Sequence, residues 1–165
     1  MSRAFVNEDD QRETPFVAPR ADLPNGVTNY VTPAGMEALL KEKENLLKEL
    51  KQTAAGADHD KQNAITIVNT KLQMLESRIV SAQIIQAEDK ASDKIRFGSV
   101  VSLQIGDQSK TQHFQLVGVD EADLKQGKIA FTSPLAKLLI NKQAGDSVSL
   151  KLAQGERLFK IIEVK

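Results

Sequence analysis

Two runs of apolar residues at helical spacing, joined by a short segment at Gly56, restrict this 165-residue chain more than any other feature. In the first, Met36, Leu40, Leu47, Leu50 and Ala54 lie on one stripe, with Lys43 its polar exception and Leu39 and Leu46 widening it. In the second, Ile65, Val68, Leu72, Leu75, Ile79 and Ala82 alternate steps of three and four, which is a heptad seam. Thr32 is placed to cap the first helix, Pro33 sits where a missing amide does no harm, and Gly56 ends the run. So short a connection makes the helices antiparallel neighbours. Residues 33–55 span about 35 Å at 1.5 Å per residue. A two-helix hairpin that narrow is not a whole core, and its outer Lys, Glu, Gln and Asn suit a water-filled slot. Pairing within one chain implies a monomer; a dimerisation coiled coil is the competing arrangement.

From Ile95 the period changes to two and β-branched residues dominate, with strands expected at Arg96–Ile105, His113–Val119, Lys128–Thr132, Ser147–Leu152 and Arg157–Val164. Gly106-Asp107 and Gln154-Gly155 supply turns, and Ser133-Pro134 opens a short helix with Leu135, Leu138 and Leu139 facing inward. The fold class is therefore α+β: an N-terminal antiparallel two-helix hairpin followed by an antiparallel sheet domain with one short helix. Residues 1–30, with Pro15, Pro19, Pro24 and the Asn25-Gly26 turn, read as an extended, mobile arm in which Phe16 and Val17 offer apolar docking points. The expected division is an arm at 1–30, a hairpin at 31–92 with its tip near 56–63, and the sheet domain at 93–165.

Composition excludes several functions. There is no Cys, hence no disulfide, thiolate metal site or Cys nucleophile, and only His59 and His113 are available as imidazole ligands. Basic and acidic residues balance at 22 each, so no global charge drives the chain onto phosphates. Aromatics make up only 4%, leaving few residues to stack on single-stranded bases. No apolar stretch approaches the ~20 residues of a membrane span. The first ten residues carry no apolar signal core, so the expected location is the cytoplasm.

Within the second half, Phe97-Gly98-Ser99, Asp120-Glu121-Ala122-Asp123, Lys125-Gln126-Gly127, Ser133-Pro134 and Gly145-Asp146 occur in order, and Tyr30-Val31-Thr32-Pro33-Ala34-Gly35 opens the first helix. Together these resemble the bacterial Gre family of transcript cleavage factors, over roughly residues 29–164. The resemblance implies that the sheet domain is FKBP-like and that the partner is RNA polymerase. It implies that residues Thr132, Ser133 and Pro134 face the polymerase rim and that the hairpin enters the secondary channel, meeting nascent RNA only indirectly. Prolyl isomerase activity does not follow, because Phe97, Phe114, Phe131 and Phe159 lie in strand patterns and are expected to pack the core.

The tip carries the family's chemistry. Cleavage-competent members place an Asp and, three residues later, a Glu before an Asn-Ala pair, and these carboxylates help hold a magnesium ion in the polymerase active site. Aligning Asn63-Ala64 puts His59 in the Asp position and Gln62 in the Glu position, neither of which suits magnesium. Asp58 and Asp60 stand at neighbouring positions and offer two carboxylates; helix capping is their alternative use. Three outcomes are open: a channel-entering regulator with weak cleavage, a full cleavage factor using Asp58 and Asp60, or a coiled-coil adaptor or chaperone that never meets polymerase. In none does the chain hold a metal or cofactor of its own or act as a free-standing enzyme; at most it assists the polymerase's magnesium.

Overall fold

The computed structural model describes residues 14–55, 60–86 and 92–165. Helix α1 spans Pro33–Ala54 and α2 spans Lys61–Ser81. Thr32 caps α1 as its position before Pro33 suggests, its Oγ1 accepting from the Gly35 amide at 2.9 Å. The two helices pack side by side on a seam of Leu39, Leu46, Val68, Leu72 and Leu75, with Met36, Leu50 and Ile79 partly covered against it.

That seam corrects one expectation. Leu39 and Leu46, assigned to the edge of the stripe, are its centre, while Leu40 and Leu47 are half-exposed. Both stripes pass through Met36, Lys43 and Leu50 and differ only in which of two adjacent leucines faces α2; packing against Val68, Leu72 and Leu75 seats Leu39 and Leu46 inside. Lys43 reaches across the hairpin to Glu76 of α2 at 3.1 Å at the edge of this seam. On the outer face Lys41, Glu44 and Lys48 form a ladder, and the Lys48 and then the Lys41 ammonium hold the Glu44 carboxyl down to about 2. This trio lies in water and is screened by salt.

At the base of the hairpin, two short strands run parallel, β1 (Tyr30–Val31) and β2 (Gln83–Ile84). The buried Asn29 donates from Nδ2 to the Arg78 carbonyl at 3.0 Å and to Ser81 Oγ at 3.2 Å, satisfying the end of α2.

The second half is a five-stranded sheet in the order β5-β4-β3-β7-β6, where β3 is Val100–Ile105, β4 Thr111–Val117, β5 Lys128–Ala130, β6 Ser147–Leu152 and β7 Gly155–Val164. All five expected strands are present, with edges moved. Arg96–Ser99 is a turn rather than strand, closed by a Ser99 amide to Arg96 carbonyl bond of 3.0 Å, with Gly98 at φ 86°. Three of the four pairings are antiparallel; β5 joins the edge parallel to β4, because the chain crosses over residues 118–127 before returning. Helix α3 (Pro134–Leu139) covers one face through Ala136 and Leu139, while Leu138, expected inside, points outward. These close a core of Ile95, Val101, Leu103, Leu116, Phe159 and Ile161, separate from the hairpin seam.

Of the four phenylalanines expected in strands, Phe159 is buried in β7 and Phe114 is partly buried in β4. Phe97 and Phe131 instead lie in turns and form a three-ring cluster with Tyr30, centroids 5.5–5.9 Å apart. Tilted and edge-on rings at these separations attract through their quadrupoles, and here they fasten the base of the hairpin to the sheet domain.

Candidate functional site

The tip is built where α1 stops and α2 begins. Asp58 and His59 lie outside the described residues. Asp60 is described: it is the residue before α2, with helical backbone angles (φ −74°, ψ −8°) and no side-chain capping bond. A capping side chain requires an extended backbone at that position to reach the following amides. Asp60 has turned into the helix instead, leaving its carboxylate pointing to solvent, though still favourably near the positive end of the helix. Gln62 and Asn63 are exposed in the first turn, and the Gln62 carbonyl accepts from Thr66 Oγ1 at 2.9 Å. A row consisting of one carboxylate, one amide and a second amide can coordinate through oxygen, but of these three only Asp60 brings charge. Among the described residues, no group of three or more His, Asp or Glu is placed to hold a metal ion.

The second candidate surface is the turn into α3. Ser133 is extended (φ −66°, ψ 152°), and its Oγ accepts from the Ala136 amide at 3.3 Å. Pro134 occupies the first helical position and is exposed; Thr132 and Ser133 are half-exposed. Phe131, one residue earlier, belongs to the ring cluster, and its amide donates to the Val117 carbonyl at 2.9 Å. The turn is therefore rigidly held against the hairpin base while its outer edge remains open.

Between these surfaces lies a buried joint. Gly118 follows β4 and lies so near β1 that a Cβ there would come within 2.6 Å of the Tyr30 carbonyl oxygen. Two residues later Asp120 accepts from Arg20 Nε at 3.0 Å through Oδ1 and faces Arg78 of α2 at 3.6 Å through Oδ2. Glu121 accepts from Thr32 Oγ1 at 2.6 Å, lies 3.7 Å from the Lys128 ammonium, and occupies the space a Cβ on Gly35 would need. Asp123 accepts from the Lys125 amide at 3.0 Å and caps a single 3-10 turn, Leu124–Gln126. Thr32 is thus used twice, as the cap of α1 and as a donor to the sheet domain.

The C-terminal domain of the transcription elongation factors GreA and GreB matches residues 89–165. The transcription elongation factor GreA of Bartonella henselae is 31% identical over 150 residues, covering 82% of this chain and 96% of that protein. The chain belongs to the GreA/GreB family. GreA of Alkalilimnicola ehrlichii is 40% identical over 101 residues, and there this Gre-family chain spans 64% of the relative's length. Among solved structures, GreA/GreB of Nitrosomonas europaea is 20% identical over 82% of this chain and 98% of that one, with a TM-score of 0.42. GreA factor homolog 1 of Thermus thermophilus is 23% identical over 84% and 99%, with a TM-score of 0.40.

Within this Gre-family chain, sequence reasoning singled out residues 58–63 and 132–134; of these, Asp60, Gln62 and Asn63 lie at the start of α2, at the tip, and residues 132–134 lie in the sheet domain beside the hairpin base. It missed Arg20, Asn29, Arg78 and the mutual packing of Tyr30, Phe97 and Phe131. The Asp120-Glu121-Ala122-Asp123 run was visible as a motif, but the partners of its acids are 89 and 100 positions away. Two adjacent acids in a loop were the available signal, and no local pattern connects them to Thr32 or Arg20.

Proposed function

We propose that this chain binds bacterial RNA polymerase through the face around residues 132–134 and inserts its hairpin into the secondary channel, where the tip acts on backtracked or paused complexes. The reading rests on one observation above the others: a polar-surfaced hairpin joined to a family-typical sheet domain through a buried, tightly bonded joint. The 22-residue α1 carries the tip roughly 33 Å from the joint. That is a reach matched to a narrow channel rather than to a flat surface. The factor works in the cytoplasm as a monomer, and nascent RNA is met only through the polymerase. The adaptor or chaperone alternative predicts that core RNA polymerase is not retained by the immobilised chain.

At the tip, His59 and Gln62 stand where two carboxylates support cleavage in the family pattern, so occupying the channel and modulating catalysis is the primary reading. Asp60 favours a second. Its carboxylate makes no cap bond, and with Asp58 it would supply two hard oxygen donors toward a magnesium ion held by the polymerase. Magnesium there would activate the attacking water and stabilise the leaving oxygen; this chain's part is to orient acids toward it, and the hydrolysis remains the polymerase's own. Transcript cleavage in a stalled, backtracked elongation complex decides between them. Slow cleavage at saturating factor is expected, and rapid cleavage would establish the neighbouring aspartates as the working pair.

A further inference from the structure

The arm preceding the hairpin makes contacts that neither the helical seam nor the sheet requires. Arg20 lies between acids from different halves of the fold. Its Nε donates to Asp120 Oδ1 at 3.0 Å, and its two terminal nitrogens donate to Glu42 Oε1 and Oε2 of α1 at 2.7 and 3.0 Å. On the far side of Asp120, Arg78 of α2 faces Oδ2, and Arg78 Nη2 donates back to the Ala21 carbonyl of the arm. The contacts close a ring from arm to loop to α2 and back to the arm.

The ring is largely out of water, with the Asp120 side chain 7% exposed, Arg78 15% and Arg20 17%. At 3.6 Å the Arg78 contact is an ion pair without a hydrogen bond, and Asp120 Oδ2 is buried with none. The hydrogen bond that the carboxylate does receive from a guanidinium comes from Arg20. Removing one partner of a buried charge costs more than the pair contributes, because the remaining charge is left buried and uncompensated. The arginine fork grips Glu42 with two nitrogens while its third holds Asp120, a geometry that the single nitrogen of a lysine does not reproduce.

We propose that residues 14–29 form an intramolecular strap that fixes the direction of the hairpin relative to the sheet domain, with Arg20 as its positioning residue. The strap belongs to the isolated chain and stands whether or not polymerase is the partner.

The absence of cysteine permits a clean test in the full chain. Spin labels at Lys51→Cys on α1 and Lys151→Cys on β6 report the angle between the halves by double electron–electron resonance. The unaltered strap is expected to give one narrow distance distribution. Arg20→Gln should broaden or shift it and accelerate hydrogen exchange of the Gln83 and Ile85 amides, which close the hairpin base on Asn29 and Val31, by at least about tenfold, since three charged hydrogen bonds are lost and a single one is worth that much. Amides of β3 and β7 should keep their protection, and Arg20→Lys should restore the distribution only in part. Unchanged distances and exchange in folded Arg20→Gln overturn the proposal, as does a uniform loss of protection in both halves with the distances intact. Should Arg20→Gln not fold, Glu42→Ala removes both bonds from Arg20 to α1 at a half-exposed carboxylate and keeps Asp120 paired; a native distribution there, with the hairpin held in place without that anchor, overturns it equally.

Discussion

At the scale of single residues, two places give sharp tests. Gly118 has an ordinary backbone, so its lack of a side chain serves only the close approach of the Tyr30 carbonyl. Gly118→Ala should cost about 1–3 kcal/mol, the range for forcing atoms into a packed site, read as a lower midpoint in urea with an unchanged slope. No loss would mean that β1 yields to the added methyl. At the tip, the relevant variable is negative charge. Asp58→Asn with Asp60→Asn is expected to remove whatever cleavage the chain supports while leaving polymerase binding intact. His59→Asp with Gln62→Glu should raise cleavage above that of the natural chain, since it adds two anionic oxygens where the family places them. A restored pair that cleaves no faster would show that the tip's orientation, not its ligands, limits the reaction.

Among elements, the hairpin shows how a stripe of leucines becomes a seam. Leu46 and Leu47 are adjacent and chemically identical, yet one is 7% exposed and the other 42%. Leu46→Ala should cost about 2–5 kcal/mol, as burial and a residual cavity both count. Leu47→Ala should cost under about 1 kcal/mol, because half of that side chain already meets water. Thermal melts followed by far-UV circular dichroism separate the two, and equal effects would contradict the rotated seam. Sequence periodicity could not separate them, since positions 39, 40, 46 and 47 all lie within one broad apolar stripe. Packing against Val68, Leu72 and Leu75 of α2 chooses among them, and that is a contact between helices.

For the molecule as a whole, the proposed function requires two surfaces held in fixed relation: the tip at one end of α1 and the turn into α3 beside its base. The turn can be altered without unfolding it, because Asp accepts the same capping bond that Ser133 makes to Ala136. Ser133→Asp with Pro134→Ala should therefore leave the circular dichroism spectrum native while weakening polymerase binding through added charge and lost contact. Undiminished affinity in that folded variant would move the anchoring face elsewhere.

Much of this architecture follows from local sequence. The Thr32-Pro33 start, two helices, five strands, the Ser133-Pro134 cap and the α+β class all arise from period, capping and turn chemistry acting within a few residues. Interactions between distant segments decided the rest. The parallel direction of β5, the outward Leu40 and Leu47, the Tyr30–Phe97–Phe131 cluster and the Arg20–Asp120–Arg78 ring all depend on which surfaces meet after the chain has folded. A turn is encoded where it occurs, because its free energy is local. A buried carboxylate between two arginines is encoded nowhere in particular, because its desolvation exists only once the hairpin, the arm and the sheet domain have closed around it.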